Sequence, residues 1–96
     1  MITCVYICKM KPETKEEFLF EVRRTQVEEI ARGQKGCKYF HISVSPTDEN
    51  LLFMNDAWID RESFNGHMAS ELIQVWNELE RKYAYPEQSI FHQLET

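Results

Sequence analysis

The segment Ile2–Met10, ITCVYICKM, is β-branched and aromatic through its centre and apolar on both of its alternating sides. Cys4, Tyr6, Cys8 and Met10 form one side, and Val5 and Ile7 form the other. A strand of that kind is covered on both faces, unlike a half-solvated strand with clean alternation. In a chain of 96 residues there is room for one domain, residues 1–96, and for helices over one face of a sheet. The other face is left for a second subunit.

The rest of the chain supplies the helices and the remaining strands. Lys11-Pro12-Glu13 breaks the first strand, and Thr14-x-x-Glu17 has the spacing of a capping box. A helix is expected from about Lys15 to Arg32, with Phe18, Leu19, Val22, Gln26 and Ile30 as its inward stripe and its charges mostly solvated. Gly33 is placed to close that helix as the residue after its last turn. Cys37–Ser45 and Leu51–Ile59 read as strands joined by the polar turn Pro46–Asn50, an antiparallel hairpin. Asp60 is placed to cap a second helix, in which Phe64, Met68, Leu72, Val75, Trp76, Leu79 and Tyr83 follow helical spacing. A break near Ala69-Ser70 is expected, with Ser70 recapping a second segment. Tyr85-Pro86 ends the helix, and Ser89–Glu95 is a short last strand. The order β-α-β-β-α-β specifies an α+β, ferredoxin-like fold: a four-stranded antiparallel sheet with both helices on one face.

Charge and cysteine usage narrow the function classes. Eleven basic and 16 acidic residues give a net charge of −5, which argues against nucleic acid or an anionic membrane as the main partner. No apolar run approaches the ~20 residues of a membrane span, and the N-terminal segment reads as a strand and not as a signal peptide. Cys4, Cys8 and Cys37 are an odd set without framework spacing, which fits reduced thiols in a cytoplasmic protein. On one strand Cys4 and Cys8 lie about 13 Å apart, too far for a disulfide. No His, Asp or Glu spacing reads as a metal site, and no phosphate loop or nucleophile motif is present.

The most legible stretch is Asn55–Ser70, NDAWIDRESFNGHMAS, a strand end, a cap and a helix start. It brings a carboxylate, aromatic rings and an imidazole to one corner as D-x-W-x5-F-x2-H-x2-S, from Asp56, Trp58, Phe64, His67 and Ser70. This run resembles the motif of the antibiotic biosynthesis monooxygenase domain family, roughly E-x-W-x5-F-x2-H-x2-S. The Lys11-Pro12 entry to the first helix and the Gly36-Cys37 step into the second strand are similar to that family as well. The resemblance implies a dimeric α+β barrel, two ferredoxin-like units packed sheet to sheet, with a pocket between sheet and helices in each.

The family's activities include cofactor-independent oxidation of quinols and polycyclic phenols, isomerisation of a phosphorylated signal, and haem degradation. Haem-degrading relatives place asparagine near Tyr6, tryptophan at His67 and the haem-ligand histidine near Asn77, and none of these matches here. The resemblance therefore implies a monooxygenase of a small electron-rich aromatic, using O2 and no bound cofactor or metal. The implied catalytic residues are His67, as base or proton relay, and Asp56, as its orienter. The implied substrate-binding residues are Trp58 and Phe64 as flat walls, Tyr6 as a polar contact, and Met54, which stands where polyketide-type members have asparagine. Two alternatives use the same pocket: an isomerase or lyase of a small oxygenated metabolite, and a non-catalytic dimeric ligand-binding protein.

Overall fold

A computed structural model describes all of residues 1–96. The strands are β1 (Ile2–Lys9), β2 (Cys37–Val44), β3 (Leu51–Trp58) and β4 (Ile90–Glu95). The helices are α1 (Lys15–Arg24), α2 (Val27–Arg32), α3 (Arg61–Met68) and α4 (Glu71–Tyr83), with a short 3-10 turn at Pro86–Gln88. The sheet order is β2-β3-β1-β4, antiparallel at every junction, which is the ferredoxin-like arrangement. No helix is long and apolar enough to cross a membrane.

Pleating sends Ile2, Cys4, Cys8 and Met10 toward the helices, where each is essentially inaccessible, together with Leu52, Trp58 and Phe40 from the neighbouring strands. Across this layer Phe18 of α1 stacks between Trp76 and Tyr83 of α4, with ring centroids 5.5 and 5.3 Å away. The opposite face carries no helix. Pairing puts Ile90, Ile7 and Phe53 in one row across it and His92, Val5, Asn55 and His41 in the next. His41 and His92 thus sit on the two edge strands, separated by Asn55 and Val5 on the two strands between them.

The first helical region is two helices and not one. Thr25 donates its hydroxyl back to the carbonyls of Glu21 and Val22, at 2.8 and 3.3 Å, and Gln26 turns left-handed at φ 56°. This resets the helical phase. Val27 and Ala31 face the core in place of Gln26 and Ile30, and Ile30 is 47% exposed. The reset also changes what the charges do. Glu28 accepts from the backbone N–H of Ile42, and Arg32 donates to the carbonyl of Phe40, so α2 satisfies the open edge of β2 instead of facing only solvent.

Two expected caps take a different form. Thr14 makes no capping box; it donates its hydroxyl to the carbonyls of Lys11 and Tyr83, tying the start of α1 to the end of α4. Gly33 ends α2 in right-handed geometry at φ −82°. The left-handed glycine is Gly36, at φ 80°, where an added Cβ would stand 2.0 Å from the Ser63 hydroxyl oxygen. Only glycine lets the turn before β2 lie against the first turn of α3. Asp60 caps α3 as expected, accepting from the Ser63 N–H at 2.8 Å. The helix breaks at Ala69-Ser70, and the Ser70 hydroxyl donates back to the His67 carbonyl instead of capping α4.

Candidate functional site

A cavity of about 180 Å³ lies between the sheet and the second helical pair. β1 contributes Tyr6, and β3 contributes Met54 and Asp56. α3 contributes Phe64, His67 and Met68; α4 contributes Ile73, Trp76, Asn77 and Glu80; and β4 contributes Phe91. Met68 and Phe91, both about half exposed, stand at its rim, whereas His67, Asp56 and Glu80 are buried. No lysine or arginine lines it.

His67 is held from three directions. Its ring stacks on Trp58 with centroids 4.4 Å apart, and Phe40 meets it edge-on at 5.8 Å. Its Nδ1 lies 2.6 Å from Gln34 Oε1. A chain of hydrogen bonds fixes the tautomer. The Ser70 hydroxyl spends its proton on the His67 carbonyl, so its oxygen accepts from Gln34 Nε2, and Gln34 then presents oxygen to His67. Nδ1 must donate, and Nε2 carries the free lone pair. Burial pushes this imidazole down to about 4, so it is uncharged at neutral pH and can accept a hydrogen bond through Nε2. The Gln34 side of the same ring borders a second, polar cleft lined by Lys35, Glu62, Ser63 and Gly66.

The expected pairing of Asp56 with His67 is not made. Asp56 Oδ2 accepts from the indole N–H of Trp58 at 2.8 Å. The residues are two apart on β3 and therefore share a face, which brings the short carboxylate to the indole edge. Burial raises Asp56 to about 6, against the lowering effect of the Trp58 bond. Trp58 itself is fully buried with one face taken by His67, so it backs the imidazole and does not wall the cavity. The tryptophan that walls the cavity is Trp76. Phe64, Tyr6 and Met54 all line it, and the Arg61 guanidinium lies over the outer side of the Phe64 ring, 5.3 Å from its centroid.

Two of the polar residues that build the site, Gln34 and Glu80, lie outside the motif. Gln34 lies in a loop and carries no sequence signal for its bond to His67. Glu80 does carry one: it falls four residues after Trp76 and three before Tyr83, inside the apolar stripe of α4. Its carboxylate accepts the Tyr6 hydroxyl, and burial raises it to about 7. Cys4 and Cys8 are buried free thiols, pushed up to about 12 and about 11 mainly by burial, and Cys37 is also free. No three His, Cys, Asp or Glu side chains converge as metal ligands.

A ferredoxin-like sheet, a cavity under its helices and a histidine stacked on the motif tryptophan define a class of small α+β proteins. The family model for antibiotic biosynthesis monooxygenases matches residues 1–79, and the chain belongs to that family. Membership supports a monooxygenase-like function. No curated protein sequence matches the chain. Among solved structures it is similar to a Nitrosomonas europaea protein assigned as an antibiotic biosynthesis monooxygenase, with a TM-score of 0.86 and 17% identity over 100% of this chain and 98% of the other. A conserved protein of Methanosarcina mazei superposes with a TM-score of 0.82 and 19% identity, covering 99% and 91%. A variant of SnoaB, a cofactor-independent oxygenase from Streptomyces nogalater, superposes with a TM-score of 0.78 and 16% identity, also covering 99% and 91%. At such identities the likeness is one of fold.

Proposed function

We propose that the protein is a cofactor-independent monooxygenase of a small, uncharged, electron-rich aromatic of the quinol type. The observation that carries this is the make-up of the cavity. Aromatic and thioether walls surround an imidazole, a phenol, an amide and two carboxyl groups, with no cation among them. Such a lining suits a neutral hydroxylated ring and gives no purchase to a phosphate or carboxylate. The volume suits a single ring, since an apolar cavity of about 150 Å³ admits benzene. The family supports the reaction class, and the SnoaB likeness supports chemistry without a cofactor.

In this reading Phe64, Met54 and Trp76 hold the ring, Tyr6 contacts a substrate oxygen, and His67 Nε2 accepts a substrate hydroxyl. Asp56 acts at one remove, fixing Trp58, which in turn supports His67. Once ionised, the substrate gives one electron to O2. The substrate radical and superoxide then combine into a carbon-bound peroxide. On protonation the carbon loses its hydrogen as a proton and the O–O bond breaks, leaving one oxygen on the ring as a carbonyl and releasing the other as water. The walls keep water from that pair. A homodimer through the bare sheet face completes the proposal. That face carries Ile7, Phe53 and Ile90 side by side, and a second copy presents the same row to it. Oxygen uptake by wild type and His67→Ala with a panel of quinols tests the assignment. Uptake that falls at least ten-fold in the variant is expected; equal rates, or no uptake with any quinol, would sink it.

A further inference from the structure

Glu80 is a carboxylate set in an otherwise apolar helix stripe, and only 7% of it is exposed. Its Oε2 accepts the Tyr6 hydroxyl. Its Oε1 has no protein partner, yet no buried side-chain oxygen in the molecule is left unsatisfied, so Oε1 is an accessible oxygen on a residue that lines the cavity. The titratable groups that share this cavity are Tyr6 from β1, Asp56 from β3 and His67 from α3. β4 presents Phe91, α1 packs against α4 with Phe18, and α4 itself adds Trp76 and Asn77. Asp56 is engaged by Trp58, and His67 is engaged on one side by Gln34. Glu80 is thus the one carboxylate at the cavity whose outer oxygen is free and whose inner oxygen is held by a hydroxyl.

We propose that Glu80 is the catalytic base, taking the substrate's hydroxyl proton on Oε1 while Tyr6 holds the carboxylate in place. The inference rests on the phenol reading above and names a proton acceptor other than His67. In the step, the substrate O–H bond breaks, its electron pair stays on the phenolic oxygen, and the proton goes to Glu80. One negative charge moves from Glu80 to the ring, and the net charge of the cavity is unchanged. A transfer of that kind avoids creating new charge in a low-dielectric site. Burial supports the assignment by bringing Glu80 near neutrality, where it can both accept a proton and hold it, whereas His67 holds one only in acid.

Two measurements test this, with wild type, Glu80→Gln and Tyr6→Phe. The first is the pH profile of kcat/KM for quinol-dependent oxygen uptake. Wild type is expected to lose activity below about pH 7. Glu80→Gln should be at least about 100-fold slower there and recover as pH rises through the substrate's own ionisation. Tyr6→Phe should move the acid limb up by about one unit, because the carboxylate loses its donor. The second measurement needs no turnover: the absorbance of bound 4-nitrophenol at pH 7. The probe should be partly phenolate in wild type and neutral in Glu80→Gln. A Gln variant that keeps the wild-type rate and acid limb, or equal probe ionisation in both proteins, overturns the proposal. Probe ionisation that depends on Glu80, without oxygen uptake in wild type, upholds the base and sinks the monooxygenase reading.

Discussion

The substitution Glu80→Gln separates stability from function. In the unfolded chain this carboxyl titrates near 4.5, and in the folded protein burial holds it near 7. Between those values the native state binds more protons than the unfolded state, so stability falls as pH rises. The cost is absent at pH 4, is complete above pH 7, and at ~1.36 kcal/mol per pH unit comes to about 3 kcal/mol. Glutamine is nearly isosteric, still offers an oxygen to the Tyr6 hydroxyl, and carries no charge to desolvate. The variant should therefore match wild type near pH 4 and exceed it at pH 8.5 by about 3 kcal/mol, or roughly 12–24 °C in Tm for a domain of this size. Thermal unfolding followed by circular dichroism at the two pH values, at one fixed protein concentration, measures it. A Tm difference that is the same at both pH values, or a less stable variant at pH 8.5, would refute the claim that a buried charge is maintained at this position. A variant that is more stable yet slower is the signature of a residue kept for chemistry.

Three further outcomes follow from the geometry. Gly36→Ala should lose about 2 kcal/mol or more, since it combines left-handed strain with a Cβ at 2.0 Å from Ser63 Oγ, whereas Gly33→Ala should change stability by less than about 1 kcal/mol; chemical denaturation compares them. Trp58→Phe keeps a ring behind His67 but removes the donor to Asp56. The loss, about 1–3 kcal/mol, should be larger at pH 8 than at pH 5, because Asp56 is ionised only above about 6; denaturation at the two pH values reads the difference. Ile7→Lys on the bare sheet face should leave the fold intact by circular dichroism and yield a monomer in sedimentation, where wild type is expected to sediment as a dimer.

Much of this architecture was legible in the residues. The apolar, β-branched run Ile2–Met10 marked a first strand, and β1 spans Ile2–Lys9. Asp60 and the Pro46–Asn50 turn marked their boundaries because their side-chain and backbone chemistry acts locally. The split of the first helix was not legible, because neither Thr25 nor Gln26 is a strong breaker. The left-handed Gln26 is repaid by burial of Val27 and Ala31, a tertiary effect. At the site, the resemblance named His67, Phe64, Tyr6, Met54 and Asp56, which line one cavity, and Trp58, which does not, but the partners of His67 and Tyr6 depend on contacts distant in sequence. Gln34 reaches His67 across 33 residues and Tyr6 reaches Glu80 across 74, and no local spacing encodes either bond. Glu80 alone left a trace, as an acid on the buried stripe of its helix.

The most direct test of the central claim is to supply the protein with a single-ring quinol under 18O2 and weigh the product. A monooxygenase at this cavity incorporates one 18O atom per product molecule and forms nothing under nitrogen. Product that forms under nitrogen, or that carries no label from O2, contradicts the account and assigns the cavity to isomerisation, elimination or binding.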